Sequence, residues 1–114
     1  MSDLQFLVML DIQTSRSGVL DVVMKGFPEA VYRKENSCDL HGNWLEVWVN
    51  EDADSQLASS DDDGFLYYKW RVEVTPNVSG RDEDGQVELA RNLQTCFEQA
   101  GGAAVVCAEF EDRL

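Results

Sequence analysis

Basic residues are scarce in this chain, and that scarcity excludes more than any other feature. Nine Lys and Arg stand against 22 Asp and Glu, a formal charge of -13 at pH 7. Such a field repels DNA, RNA and anionic membrane surfaces, and it attracts basic proteins or cations. Acidity also serves plain solubility, so the charge alone selects no partner. Cysteine is sparse as well. Cys38, Cys96 and Cys107 form an odd set with no C-x-x-C, which excludes a disulfide framework and a structural zinc site. Histidine occurs once, at His41, and cannot complete a His-rich metal site. The glycines stand singly or at element ends, so no phosphate-binding loop is present and no cofactor is implied. Long apolar runs are missing too. The stretch Phe6 to Leu10 is too short for a membrane span or a signal h-region, and Met1-Ser2-Asp3-Leu4 lacks a basic n-region. A cytoplasmic location with reduced thiols is the resulting expectation.

What is there suffices for a core. Hydrophobic residues make up 44% of the 114, with three Trp, three Tyr and five Phe, and the length suits one domain. Leu4 to Ile12 is apolar on both faces, with Leu4, Phe6, Val8, Leu10 and Ile12 on one and Leu7 and Met9 on the other. That pattern predicts a strand in the middle of a sheet. The polar cluster Thr14 to Gly18 leads into a short helix over Val19 to Lys25, which Gly26 and Pro28 end. Val31 to Gly42 reads as polar and irregular, with a short strand at Val31-Tyr32. Asn43 to Asn50 alternates, Leu45, Val47 and Val49 against Trp44, Glu46 and Trp48. Phe65 to Thr75 alternates too, with Leu66, Tyr68, Trp70, Val72 and Val74 inward and Phe65, Tyr67, Lys69, Arg71 and Glu73 outward. The two runs read as an antiparallel pair joined by the polar loop Glu51 to Gly64. A second helix spans roughly Asp84 to Gln99, with acids in its first turn and Gly101-Gly102 beyond its end. Ala103 to Phe110 makes a last strand.

The order β-α-β-β-α-β is that of a ferredoxin-like plait, an α+β fold with a four-stranded antiparallel sheet and both helices on one face. Its helix-free face would gather Trp44, Trp48, Phe65, Tyr67, Leu7 and Met9, with Lys69 and Arg71 beside them. A contiguous aromatic patch of this kind meets a partner, a second copy or a ligand, unless the 31–42 loop folds over it.

The 51–64 loop carries six acids, Glu51, Asp52, Asp54, Asp61, Asp62 and Asp63, and no base. Its spacing does not match an EF-hand, so it reads as a solvated loop or as an acidic finger for Arg and Lys on a partner. Cys38 and His41 have nucleophile–base spacing without a second base or an oxyanion motif, so catalysis there is not expected. Cys96 falls on the apolar stripe of the second helix, and Cys107 faces either the core or the open sheet.

Small size, acidity, α+β order and an aromatic-plus-acid surface together resemble immunity proteins of bacterial polymorphic toxin systems. That resemblance implies an inhibitor that binds a basic toxin domain. The stretch Val8-Met9-Leu10-Asp11 followed by Gly18-Val19-Leu20-Asp21-Val22-Val23 is similar to the start of an ACT-type regulatory domain. This second resemblance implies an amino-acid site beside the first helix, although the gap between Asp11 and Gly18 is longer than that family's. The expectation is therefore an acidic protein-binding module with a basic protein partner, or a homodimer through the open sheet face. The alternatives are an ACT-like small-molecule sensor and a dimeric α+β barrel with its pocket on that face.

Overall fold

Two backbone decisions shape the molecule: where the polar segment 31–42 goes, and where the last alternating run starts. In the computed structural model, which describes residues 4–59, 64–77 and 82–114, both differ from the sequence expectation. The elements run β1 (Phe6–Asp11), α1 (Arg16–Gly26), β2 (Val31–Lys34), β3 (Ser37–Leu40), β4 (Asn43–Val49), β5 (Trp70–Pro76), α2 (Glu83–Gln99) and β6 (Ala103–Ala108). Short 3-10 turns occupy Leu57–Ser59, Gly64–Tyr67 and Glu111–Arg113. The strands form one antiparallel sheet of order β2-β3-β4-β5-β1-β6.

The α+β class stands, but the four-stranded ferredoxin-like plait is overturned by this six-stranded sheet, whose element order is β-α-β-β-β-β-α-β. The physical reason lies in 31–42. Cys38 and Leu40 point into the core, and His41-Gly42 makes the two-residue turn into β4, with φ of 50° and 76°. A tight hairpin with both turn residues at positive φ suits the twist of antiparallel strands. The segment thus widens the sheet instead of folding over it.

One face of the sheet carries Phe6, Val8 and Leu10, Cys38 and Leu40, Leu45 and Val47, Trp70, Val72 and Val74, and Ala104 and Val106, all buried in one cluster. Both helices close this face. Val19, Leu20 and Val23 of α1 and Val87, Leu89, Ala90, Leu93 and Phe97 of α2 belong to the same cluster. Helix α1 begins three residues before the expected start because the Ser15 hydroxyl accepts from the Gly18 amide at 3.1 Å. It ends where α2 crosses it. A Cβ on Gly26 would lie 2.5 Å from the Cys96 Sγ, so a side chain here would push into the neighbouring helix. At α2 the Asp82 carboxylate caps the Gly85 amide at 2.9 Å, and Glu83 and Asp84 lie in the first turn. Gly101, at φ 94°, closes its other end.

One polar pair lies inside the core. The Asn43 and Gln86 side chains, each fully buried, bond reciprocally: Gln86 Nε2 donates to Asn43 Oδ1 at 2.9 Å, and Asn43 Nδ2 to Gln86 Oε1 at 3.1 Å. Gln86 Nε2 also reaches the Leu4 carbonyl at 2.9 Å, so α2, β4 and the approach to β1 are pinned together. Among the described residues no helix is long and apolar enough to cross a membrane.

Candidate functional site: the helix-free face of the sheet

Alternation along β4 buries Leu45 and Val47, and therefore turns Trp44, Glu46 and Trp48 to the opposite face. Neither α1 nor α2 packs there. Trp44 remains 45% exposed and Trp48 38%. The pairing registers lay out the neighbours. Trp44 stands between Thr75 and Asp39, Trp48 opposite Arg71, and Glu46 opposite Glu73, which in turn faces Leu7. Met9 lies next to Arg71, and Cys107 opposite Leu7 puts that cysteine on the open face. The widened edge adds Val31 beside Asp39, and Arg33.

The charges on this face are mostly answered internally. The Arg71 guanidinium pairs with Glu73 at 2.8 Å. Arg33 pairs with Asp39 at 3.3 Å and stacks over the Trp44 ring, 5.1 Å from its centroid. Glu46 differs: among the described residues it makes no ion pair or side-chain hydrogen bond, and it faces Glu73 directly. Like charges directly opposite on a sheet repel; Arg71 pairs with Glu73, and Lys34, in register with Glu46 through Ser37, lines one shallow depression with Arg33, Trp44 and Glu46.

The expected site residues separate. Trp44, Trp48, Leu7, Met9 and Arg71 come together on the open face as expected. Phe65 and Tyr67 do not, because Gly64–Tyr67 is a 3-10 turn and β5 begins only at Trp70. The cause is tertiary. The fixed Asn50 side chain donates to the carbonyls of Leu66 (2.9 Å) and Tyr68 (2.7 Å), capturing backbone that would otherwise ladder with β4. Leu66 and Tyr68 accordingly leave the core, and Leu66 is exposed. Lys69 turns its ammonium over the Trp70 ring at 5.1 Å.

Of the acidic loop, Glu51, Asp52 and Asp54 are exposed, immediately past the Trp48 end of β4. Asp54 has a structural task, since its Oδ1 accepts from the amides of Gln56 (2.9 Å) and Leu57 (3.1 Å). Asp61, Asp62 and Asp63 lie outside the described residues. No three His, Cys, Asp or Glu among the described residues approach closely enough to hold a metal ion.

Cys38 and His41 point apart. Cys38 is fully buried in the core, and burial, aided by the Asp39 charge, pushes its thiol up to about 11. His41 is exposed, with Nε2 3.2 Å from Glu29 Oε1, and its ring packs edge-on to Phe27. Cys96 packs between the helices, where its Sγ donates to the Val22 carbonyl at 3.6 Å and burial raises its pKa.

A separate cleft of about 790 Å³ opens where β4 ends and β5 begins. Asp11, Ile12, Thr14, Val49, Tyr67 and Lys69 line it, with the 53–59 turn. Sequence reasoning missed this cleft, and it missed Val31, Arg33 and Asp39 on the open face. Alternation of Cys38 and Leu40 around Asp39 was the available signal for the second omission.

No family model matches the chain, and neither a curated protein nor a solved structure shows significant similarity to it.

Proposed function

We propose that the protein is an acidic binding module that docks a basic protein on the helix-free face of its sheet, as an immunity or antitoxin-type inhibitor does. The observation that carries this reading is the pair of tryptophans, Trp44 and Trp48, each more than a third exposed on a face that no helix covers. Large aromatic side chains cost free energy in water and dominate the energetics of interfaces. The chain's charge of -13 supplies long-range attraction for a basic partner and repulsion for nucleic acid. Glu51 and Asp52, next to the Trp48 end, extend the acidic rim and speed encounter. The cytoplasm is the compartment this reading assigns, because the sequence carries no disulfide-framework spacing of cysteines. Trp48→Ala is expected to weaken partner binding by about 2 kcal/mol or more, while circular dichroism stays unchanged. Equal binding by wild type and variant, measured calorimetrically with the purified partner, would remove the face from the interface.

The end-of-sheet cleft supports a second reading, a small-molecule sensor with or without the protein partner. Its volume lies in the range of ligand pockets, and its lining mixes apolar Ile12 and Val49 with Asp11, Lys69 and Tyr67. A saturating ligand raises the melting temperature, so a thermal-shift screen of amino acids and other metabolites decides it. A dimeric barrel reading needs the sheet faces of two copies to meet, and sedimentation of the pure chain tests that.

A further inference from the structure

A small depression opens at the β2 corner of the helix-free face, about 190 Å³ in volume and lined by Arg33, Lys34, Ser37, Trp44 and Glu46. The pairing registers explain it. Lys34 lies opposite Ser37, and Ser37 opposite Glu46, so one row crosses three strands with the short side chain in the middle. Lys34 and Glu46 therefore stand two strand spacings apart, roughly 10 Å between their backbones, with a gap over Ser37. Trp44, with Arg33 stacked on its ring, forms the adjoining wall. The floor sets this place apart from an ordinary exposed Lys and Glu. Ser37 is only 6% exposed, and alternation with the buried Cys38 turns its side chain to the open face. Its hydroxyl makes no hydrogen bond among the described residues. Lys34 and Glu46 likewise make no ion pair or side-chain hydrogen bond among them, and do not pair with each other.

We infer that this depression binds a small zwitterion, an amino group and a carboxylate joined by a short apolar spacer, with the carboxylate at Lys34 and Ser37 and the ammonium at Glu46. Charge decides the class. A lone anion meets the Glu46 carboxylate, a lone cation meets Lys34 and Arg33, and a ligand with both charges answers both walls. It also carries no net charge into the field of a chain at -13. The Ser37 hydroxyl donates to the carboxylate, and a donor gains more from a charged acceptor than from a neutral one. The spacer lies against the indole of Trp44, a large apolar surface. Arg33 keeps its bond to Asp39 through Nη1 and so fixes the Trp44 ring. Binding here needs no protein partner, so it goes beyond docking and is tested separately from it.

The test titrates the full chain with γ-aminobutyrate, butyrate and butylammonium at matched ionic strength and pH 7. The three probes share a four-carbon chain and differ in carrying both charges, the negative one or the positive one. Binding is followed by the indole N–H resonances of the tryptophans. γ-Aminobutyrate is expected to shift the Trp44 resonance saturably, and each singly charged probe to bind about fivefold more weakly or worse, the worth of one exposed ion pair. Lys34→Gln and Glu46→Gln are each expected to weaken γ-aminobutyrate by about the same factor, because each removes one of the two pairs. Ser37→Ala is expected to weaken it several-fold while circular dichroism stays unchanged. The two exposed variants keep the test decisive if Ser37→Ala disturbs the strand. Absence of any saturable shift overturns the inference. Equal binding by butyrate or by butylammonium also overturns it, since one charge would then suffice. So does binding that Lys34→Gln and Glu46→Gln leave unchanged, or shifts that centre on Tyr67 and Lys69 of the end-of-sheet cleft.

Discussion

Replacing Gln86 with Met tests the Asn43–Gln86 link inside the core, because it keeps the length and volume of the side chain and removes only the amide. Hydrogen bonds to Asn43, two of them, and to the Leu4 carbonyl go with it. Asn43 keeps its donor contacts to the carbonyls of Leu40 (3.3 Å) and His41 (3.1 Å), but its Oδ1 loses the Gln86 donor in a fully buried site. A buried acceptor left without its donor costs about 1–3 kcal/mol, and each lost net hydrogen bond adds roughly 1 kcal/mol. Apolar burial of the methionine returns part of this, so the expected loss is about 3 kcal/mol. For a domain of this size that lowers the melting temperature by roughly 10–15 °C. Urea denaturation of Gln86→Met, Asn43→Leu and the double variant gives the complete cycle. The double variant is expected to be more stable than the sum of the single losses by about 1–2 kcal/mol, because the second change removes the orphaned oxygen. A loss below about 1 kcal/mol in Gln86→Met, or strict additivity in the cycle, would refute the reasoning.

Other expectations follow from single contacts. Cys38 has a folded pKa near 11 against an ordinary value of 9.0, so the folded state holds its proton more tightly. Its contribution is full below pH 9 and is lost as pH rises through 11, and urea midpoints should fall across that window by an amount that Cys38→Ala removes. The same burial predicts that iodoacetamide at pH 8 leaves Cys38 unmodified until the protein is unfolded, which peptide mapping detects. Gly64→Ala places a Cβ 2.5 Å from the Ala58 carbonyl oxygen, which is backbone and cannot swing away. A destabilisation of about 1–3 kcal/mol is expected, and a neutral result would show that the two 3-10 turns separate freely. Asp82→Ala removes the α2 cap and should cost about 1 kcal/mol, read by the same denaturation assay, whereas Asp82→Asn should retain most of it.

Much of the architecture was legible because its signal is local. Leu45 and Val47 alternate with Trp44 and Trp48, and that alone placed two tryptophans opposite the core. The spacing of Leu89, Ala90, Leu93 and Phe97 located α2 to within a residue. The failures lie where tertiary contacts overrule the pattern. Phe65 to Val74 alternates throughout, yet the Asn50 side chain takes the carbonyls of Leu66 and Tyr68 and delays β5 to Trp70. Val49 keeps the phase of Leu45 and Val47 but lies beyond the cover of the helices, 54% exposed. The strand β2 was legible only as the short strand at Val31-Tyr32: it is exposed along its whole length, so no hydrophobic period marks its extent to Lys34, and a bulge between Tyr32 and Lys34 breaks its register. The buried amide pair was legible in principle. Asn43 is in phase with Leu45 and Val47, and Gln86 precedes Leu89, Ala90 and Leu93 on the same stripe. Polar residues in phase with a core mark partners for each other.

Docking of a basic protein on the helix-free face, through Trp44 and Trp48, is the proposal that remains to be measured. Its most direct test is quantitative affinity capture from cells of the native host, comparing the wild-type chain with the Trp44→Ala/Trp48→Ala variant. Both side chains lie outside the core cluster, so the variant is expected to keep its fold with a somewhat lowered melting temperature, checked by circular dichroism before capture. One basic protein is expected to be retained in stoichiometric amount by the wild type, lost from the folded variant, and then reproduced by the purified pair. Absence of any stoichiometric basic partner, or its equal retention by the variant, would rule out docking on this face.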